Sequence, residues 1–403
     1  MGKDLSGKNL GKGFSQRPDG RYEARAMISG RKIDIYDVSL PALKKRFEEE
    51  KAIILRDEKG VRPNLTLDNW YEEWFTNFKA PQLKSDISRH AYKRKVKNTF
   101  VKILGQKRIA DISQMDVQKA ANQLLDDGYS IKLIRDSLYG LRDCFDSAIT
   151  NNILRLNPVK DVNVNDGNVA AKERRVLSHW EQDVFLASVS GTFYEELYRI
   201  MLLTGMRIGE VSALQWDDVD FDKKRIHIRH SMMTGYIDGR KILELTSPKT
   251  LNSYRDIPFF GDAEHMFESW KSKQSERKER LGSRWRCEQK FGDLVFTTTY
   301  GSPVTRYNIV HDLDKIERNV RAMEEMKARM EGREPREFGH LHPHALRHTF
   351  ATRCFEKGLD PVVVQRIMGH ANYSTTLSYT HVLDDKLAEA VELAGDLICV
   401  KCV

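Results

Sequence analysis

A chain of 403 residues is too long for one compact core and long enough for two or three domains of ordinary size. Lys and Arg exceed Asp and Glu by 66 to 58, a net charge of +8 that suits a polyanionic partner. No apolar run is long enough to cross a bilayer, residues 1–14 lack a secretory segment, and the five cysteines are scattered, so a membrane-spanning protein and a disulfide-stapled secreted domain are excluded and a soluble cytoplasmic chain is expected.

Residues 14–38 alternate in the manner of short strands, with turn signals at Pro18-Asp19-Gly20 and Ser29-Gly30, and predict a small sheet. Leu40 to Arg56 then reads as a helix, Pro41 near its start and Leu43, Phe47 and Ile54 facing inward. After a break at Gly60 to Pro63, a helical region begins near Thr66, with Asp68 early and Trp70, Trp74 and Phe78 at apolar spacing, and continues to about Asn157-Pro158.

Between Lys79 and Arg108 ten basic residues stand against one acid, Asp86. Such a run is either a solvated helix face or a face that meets phosphates; Tyr92, Val96, Phe100 and Ile103 interleave with the charges, so one side can pack. Lys84, Arg89, Lys93, Arg94 and Lys97 are the candidate phosphate contacts here, a reading that depends on the chemistry further along the chain. Val162 to Arg175 is polar and reads as a linker whose charged end adds Arg174 and Arg175 to those candidates.

Beyond it, Phe193, Leu197, Ile200 and Met201 mark a helix, Arg225 to His230 a strand, and Lys241 to Leu245 and Tyr254 to Pro258 bracket a Ser247-Pro248-Lys249-Thr250 turn. Residues 263–290 and 314–337 are heavily charged at helical spacing and are expected to be surface helices or insertions without chemistry. The layout expected is a sheet domain over 1–62, a helical domain over 63–162, a linker over 163–175 and a mixed, mainly helical domain over 176–403.

Three stretches of the last domain gather Arg, His and Tyr near turns and helix starts: Thr204 to Glu210, His342 to His348, and Met368-Gly369-His370 followed by Tyr379. Transfer of a phosphodiester concentrates negative charge on non-bridging oxygens, which planar, permanently charged guanidiniums stabilise well; Arg207 and Arg347 fit that role. A phenol titrates near ~10 and needs a base or nearby cations to act as a nucleophile. Tyr379 is then the nucleophile and His344 its base, while Lys249 on a turn protonates the departing 5′ oxygen and His370 hydrogen-bonds the phosphate. The bland readings are a salt-bridged Arg207, a packed Tyr379, and a metal cluster of His340, His342, His344 and His348, against which no carboxylate or Cys lies between these histidines and Arg347 adds a cation. The lone C-x-x-C of Cys399 and Cys402 lies at the end of the chain and is given no role.

The order Arg, Lys, His-x-x-Arg, Gly-His, Tyr resembles the tyrosine recombinase (phage integrase) family. The likeness rests on T-G-M-R-I-G-E, S-P-K-T, H-P-H-A-L-R-H-T-F-A-T, I-M-G-H and the nine-residue step from His370 to Tyr379, and covers roughly residues 176–390. It implies a 3′-phosphotyrosine intermediate at Tyr379, no metal or other cofactor, and a bacterial cytoplasmic or nucleoid location. The upstream parts are similar to the arm-type and core-binding domains of conjugative-transposon integrases, implying core and arm DNA sites and integration and excision of a mobile element. A tetramer on DNA is implied too, joined through the amphipathic helix of Leu383, Leu387, Val391 and Ala394, with an accessory DNA-bending or excision factor. The competing readings are a relaxing enzyme of the type IB topoisomerase kind and a DNA-binding architectural protein without catalysis.

Overall fold

The computed structural model describes residues 2–28, 31–59, 64–164, 174–248 and 253–370, in two units, Met1–Ala170 and Ala171–Val403, each with cores of its own. Lys249, Tyr379, the expected C-terminal helix, Cys399 and Cys402 lie outside the described residues, as do the Ser29-Gly30 turn and most of the linker.

In the first unit β1 (Gly2–Lys3) pairs with β2 (Asn9–Gly11), and β3 (Phe14–Gln16), β4 (Tyr22–Ile28) and β5 (Arg31–Asp37) form an antiparallel sheet in that order. Ala24 stands opposite Ile35 and Ala26 opposite Ile33, so one face is apolar, and α1 (Leu40–Lys59) closes it with Leu43, Phe47 and Ile54 as the periodicity predicts.

The helical part starts at α2 (Leu67–Trp74), where the Thr66 hydroxyl accepts from the Asn69 N–H at 3.3 Å. α3 (Asp86–Val96), α4 (Lys102–Leu104), α5 (Gln114–Asp126) and α6 (Ile131–Thr150) follow, with Ser85, Ser113 and Ser130 capping α3, α5 and α6. Trp70, Tyr71, Trp74, Phe100, Leu141 and Phe145 fill the core, and the Trp70 indole donates to the Cys144 carbonyl at 3.0 Å. Phe78, expected inside, is 42% exposed. It falls in a π-helical turn, Phe75–Lys79, whose extra residue rotates it off the buried stripe; a second such turn spans Lys97–Val101.

The second unit opens with α7 (His179–Val189), α8 (Glu195–Thr204) and α9 (Ile208–Ala213). Five short strands follow, β6 (Val219–Asp220), β7 (Arg225–Ile228), β8 (Ser231–Ile237), β9 (Arg240–Thr246) and β10 (Arg255–Pro258). They make a sheet of order β10-β7-β6 and a separate β8-β9 hairpin. Among the described residues four α-helices follow, α10 (Ala263–Leu281), α11 (Arg306–Glu331), α12 (Pro343–Glu356) and α13 (Pro361–Met368).

The expectation that the charged stretches are surface additions is corrected here. α10 buries Phe267 and Trp270, and α11 buries Ile309, Leu313, Ile316 and Val320 in the same core as α8 and α12. Their charges lie on the outward face of amphipathic helices whose narrow apolar stripe the charge count hid. The described elements are mainly helical with short antiparallel sheets.

Candidate active site

α8 ends at Gly205, whose φ of 60° is the left-handed region that glycine enters without strain. A Cβ there would lie 2.3 Å from Phe350 Cδ1 and 2.9 Å from Met368 Sδ, so the turn needs glycine for space as well. The turn delivers Arg207 to the start of α9. Its backbone N–H and Nη1 both donate to the Glu210 carboxylate at 2.8 Å, and Nη2 donates to the Gly369 carbonyl at 3.0 Å.

α12 begins at Pro343, and the Nδ1 of His342 accepts from the Ala345 N–H at 3.1 Å, capping the helix. One turn on, Arg347 is only 3% exposed; its two Nη atoms donate at 2.6 Å to the carbonyls of Gly205 and Met368. α13 stops at a left-handed Gly369, after which the His370 carbonyl accepts from Gln365 Nε2 at 3.2 Å. Arg207 and Arg347, 140 positions apart in sequence, thus meet at one helix end beside His370.

β10 adds Arg255, which donates from Nη1 and Nη2 to the two Glu210 oxygens at 2.9 and 2.8 Å and from Nε to the Ile367 carbonyl at 2.5 Å. Burial pushes the Glu210 carboxyl up, but the bonds and charge of Arg255, with Arg207 and Arg347, win and hold it down to about 2. One acid therefore binds two guanidiniums and feels the charge of a third. Burial and the charge of Arg347, Arg207 and Arg174 hold His370 down to about 3; burial and Arg174 hold His348 down to about 4. Burial, then Arg347 and Arg306, lower His344 as well. Each shift favours the neutral imidazole, the form that accepts a proton.

The sequence candidates fall into different places. Arg207, His344, Arg347 and His370 share one neighbourhood, and Arg174 acts electrostatically on His348 and His370 from the end of the linker. Arg175 is engaged elsewhere, donating to Glu181 and to the Val176 carbonyl. In the basic run, Lys93 pairs with Glu72 at 2.5 Å, Lys97 with Glu72 and Asp68, and Arg89 with Asp86 at 2.7 Å. Lys84 and Arg94 are exposed and, among the described residues, form no ion pair. Sequence reasoning missed Glu210 and Arg255. The first had a signal in its place three residues after Arg207, capping α9; the second read only as a strand residue.

The four histidines weighed as a metal cluster divide among tasks. His342 caps α12, His340 Nδ1 lies 3.0 Å from Glu317, and His344 and His348 stack at 6.1 Å. Among the described residues, Asp314, Glu317 and His340 bring ligand atoms close together, but Arg321 already pairs with Glu317 at 2.8 Å.

Arg207, Arg255 and Arg347 gathered at one helix end beside imidazoles held toward their neutral form make a site suited to an anionic phosphate diester. The model of the phage integrase family matches residues 183–386, just over half the chain, and that of the phage integrase N-terminal SAM-like domain matches residues 66–125. The chain belongs to the phage integrase family. It is a tyrosine recombinase, a DNA strand transferase of the integrase kind.

A tyrosine recombinase XerC-like protein of Caldanaerobacter subterraneus subsp. tengcongensis is 27% identical, over 98% of this chain and 94% of its own. The transposase from transposon Tn916 of Enterococcus faecalis is also 27% identical, over 97% and 96%. A solved Tn1549 transposon integrase in complex with transposon right end DNA shares the fold at a TM-score of 0.64 and 23% identity, covering 82% of this chain and 100% of that one.

Proposed function

We propose that this enzyme integrates and excises a mobile element by cutting and rejoining duplex DNA through Tyr379. The Tyr379 oxygen attacks the scissile phosphorus, a phosphotyrosine bond forms and the bond to the 5′ oxygen breaks. Arg207 and Arg347 hold the non-bridging oxygens with their guanidinium N–H groups. His344 takes the phenol proton, Lys249 gives one to the 5′ oxygen, and His370 hydrogen-bonds a phosphate oxygen. The reverse steps with a new 5′ hydroxyl rejoin the strand without a nucleotide or metal cofactor. The observation that carries this reading is the meeting of Arg207 and Arg347 at the end of α13, beside His370, which stands nine residues before Tyr379 in sequence.

The remaining layout follows the same reading: an arm-type DNA-binding domain over 1–62, a core-binding domain over 63–162, a linker over 163–175 and a catalytic domain over 176–403. Lys84 and Arg94 are the first choices for phosphate contacts in the core-binding domain, and Arg174 for the linker. Four protomers act on two duplexes, the segment of Leu383, Leu387, Val391 and Ala394 docking on a neighbour, with an accessory DNA-bending or excision factor, in a bacterial cytoplasm. The absence of a described helix able to span a membrane is compatible with that location.

The test is to map covalent attachment on the DNA flanking the gene. Wild type should form an adduct at a defined phosphate, while Tyr379→Phe binds the same fragment and forms none. An adduct of undiminished yield in the variant would remove Tyr379 from the reaction, and plasmid relaxation without a defined site would favour a relaxing enzyme.

A further inference from the structure

Three successive carbonyls at the end of α13 each accept from a different arginine: Ile367 from Arg255 at 2.5 Å, Met368 from Arg347 at 2.6 Å and Gly369 from Arg207 at 3.0 Å. A helix C-terminus leaves such carbonyls without intrahelical donors and carries partial negative charge, so cations there are favoured twice over. The three arginines differ in what else they hold. Arg347 reaches the Gly205 carbonyl, Arg207 shares Glu210, and Arg255 takes both oxygens of that same Glu210.

From this geometry we infer that Arg255 is a positioning residue: with Glu210 it fixes the end of α13, and hence His370, in register with Arg207. The inference rests on the phosphoryl-transfer reading of the cluster. Arg255 is 6% exposed in its side chain and its charge is matched by Glu210, so it is poorly suited to hold phosphate itself. What it supplies is a rigid link. One planar group spans the Glu210 carboxylate and the Ile367 carbonyl, and the same carboxylate holds Arg207 by side chain and backbone. The approach is close on the other side too, since a Cβ on Gly369 would lie 3.0 Å from Arg255 Cδ and Nη1. A lysine keeps the charge but has no planar fork to bridge both partners, so α13 is released from Arg207 while the charge balance stays.

The experiment is single-turnover cleavage of a nicked duplex taken from the DNA flanking the gene, with binding of that duplex measured beside it. Arg255→Lys should cut roughly tenfold to a hundredfold more slowly than wild type, the scale of a small misplacement of reacting groups, while its Kd changes less than about threefold. The readout that separates positioning from mere support is a cycle with His370→Ala. Because Arg255 acts through the end of α13, the double variant should be little slower than His370→Ala alone. Glu210→Gln is measured in parallel and carries the test if Arg255→Lys does not fold, since it keeps the side-chain shape and breaks the same link.

Cleavage of Arg255→Lys at the wild-type rate, or a double variant slowed by the product of the single effects, overturns the inference. An absence of adduct in the wild type instead defeats the phosphoryl-transfer reading beneath it, so the two failures are distinct.

Discussion

Two stretches of this chain concentrate cations and use them differently. In the basic run from Lys79 to Arg108, acids from neighbouring helices answer the charges: Asp143 meets Lys79 at 2.7 Å, Glu72 meets Lys93 and Lys97, and Asp116 meets Lys107 at 2.6 Å. Around α13, Arg207 and Arg255 share the Glu210 carboxylate, and Arg207, Arg255 and Arg347 each donate to a backbone carbonyl. The run is the denser of the two in sequence, yet much of its charge is compensated in space. An incoming anion responds to charge that is held in place and unmatched, and a count along the sequence does not measure that.

The contrast is open to attack at its strongest point first. Replacing Arg347 by Ala should slow single-turnover cleavage by roughly a hundredfold to a thousandfold, the loss typical of one strong oxyanion partner. A variant that cuts within a few-fold of wild type would mean that the buried cluster is not where the phosphate sits. Gly205→Ala tests whether the turn before Arg207 is as constrained as its surroundings suggest. A left-handed Ala whose Cβ overlaps Phe350 should destabilise the catalytic unit by about 3 kcal/mol, read from a chemical-denaturation midpoint.

In the basic run, Lys84→Ala and Arg94→Ala should each weaken DNA binding severalfold and reduce the salt dependence of binding by about one ion. Lys97→Ala, which loses its pairing with Glu72, should leave the salt slope nearly unchanged; equal slopes for all three variants would erase the distinction.

The smallest effect concerns pH. His348 is held at about 4 against 6.5 unfolded, so the folded chain binds fewer protons between those values. Its contribution to stability is complete above 6.5 and is lost as pH falls toward 4. His348→Gln should therefore flatten the fall of the unfolding midpoint over that window, and an unchanged slope would show that His348 is not held neutral.

Much of the site was readable from sequence because its members sit at fixed local punctuation. Gly205 ends a helix, Pro343 starts one, Gly369 ends another, and the chemical residues follow at short steps. The helix start near Thr66 and the inward positions of α1 were legible for the same reason. Arg255 was not, since its partners Glu210 and Ile367 lie 45 and 112 positions away and nothing local distinguishes it from any strand arginine. The pairing of the basic run with Glu72, Asp136 and Asp143 was hidden likewise, because helix-to-helix contacts are set by packing. α10 and α11 were misread through composition: abundant charge on an outward face says little about the face beneath.

The widened turns at Phe75–Lys79 and Lys97–Val101 bear on how this part of the protein tolerates change in length. Each holds one residue more than an α-helical path of the same span, and one residue is about 100° of rotation. In a regular helix a deleted residue swings the side chains beyond it by that angle; here deletion tightens the turn into ordinary helix and leaves the flanking faces in register. The helical unit should therefore accept a single deletion at these turns more readily than one in the middle of α5 or α6.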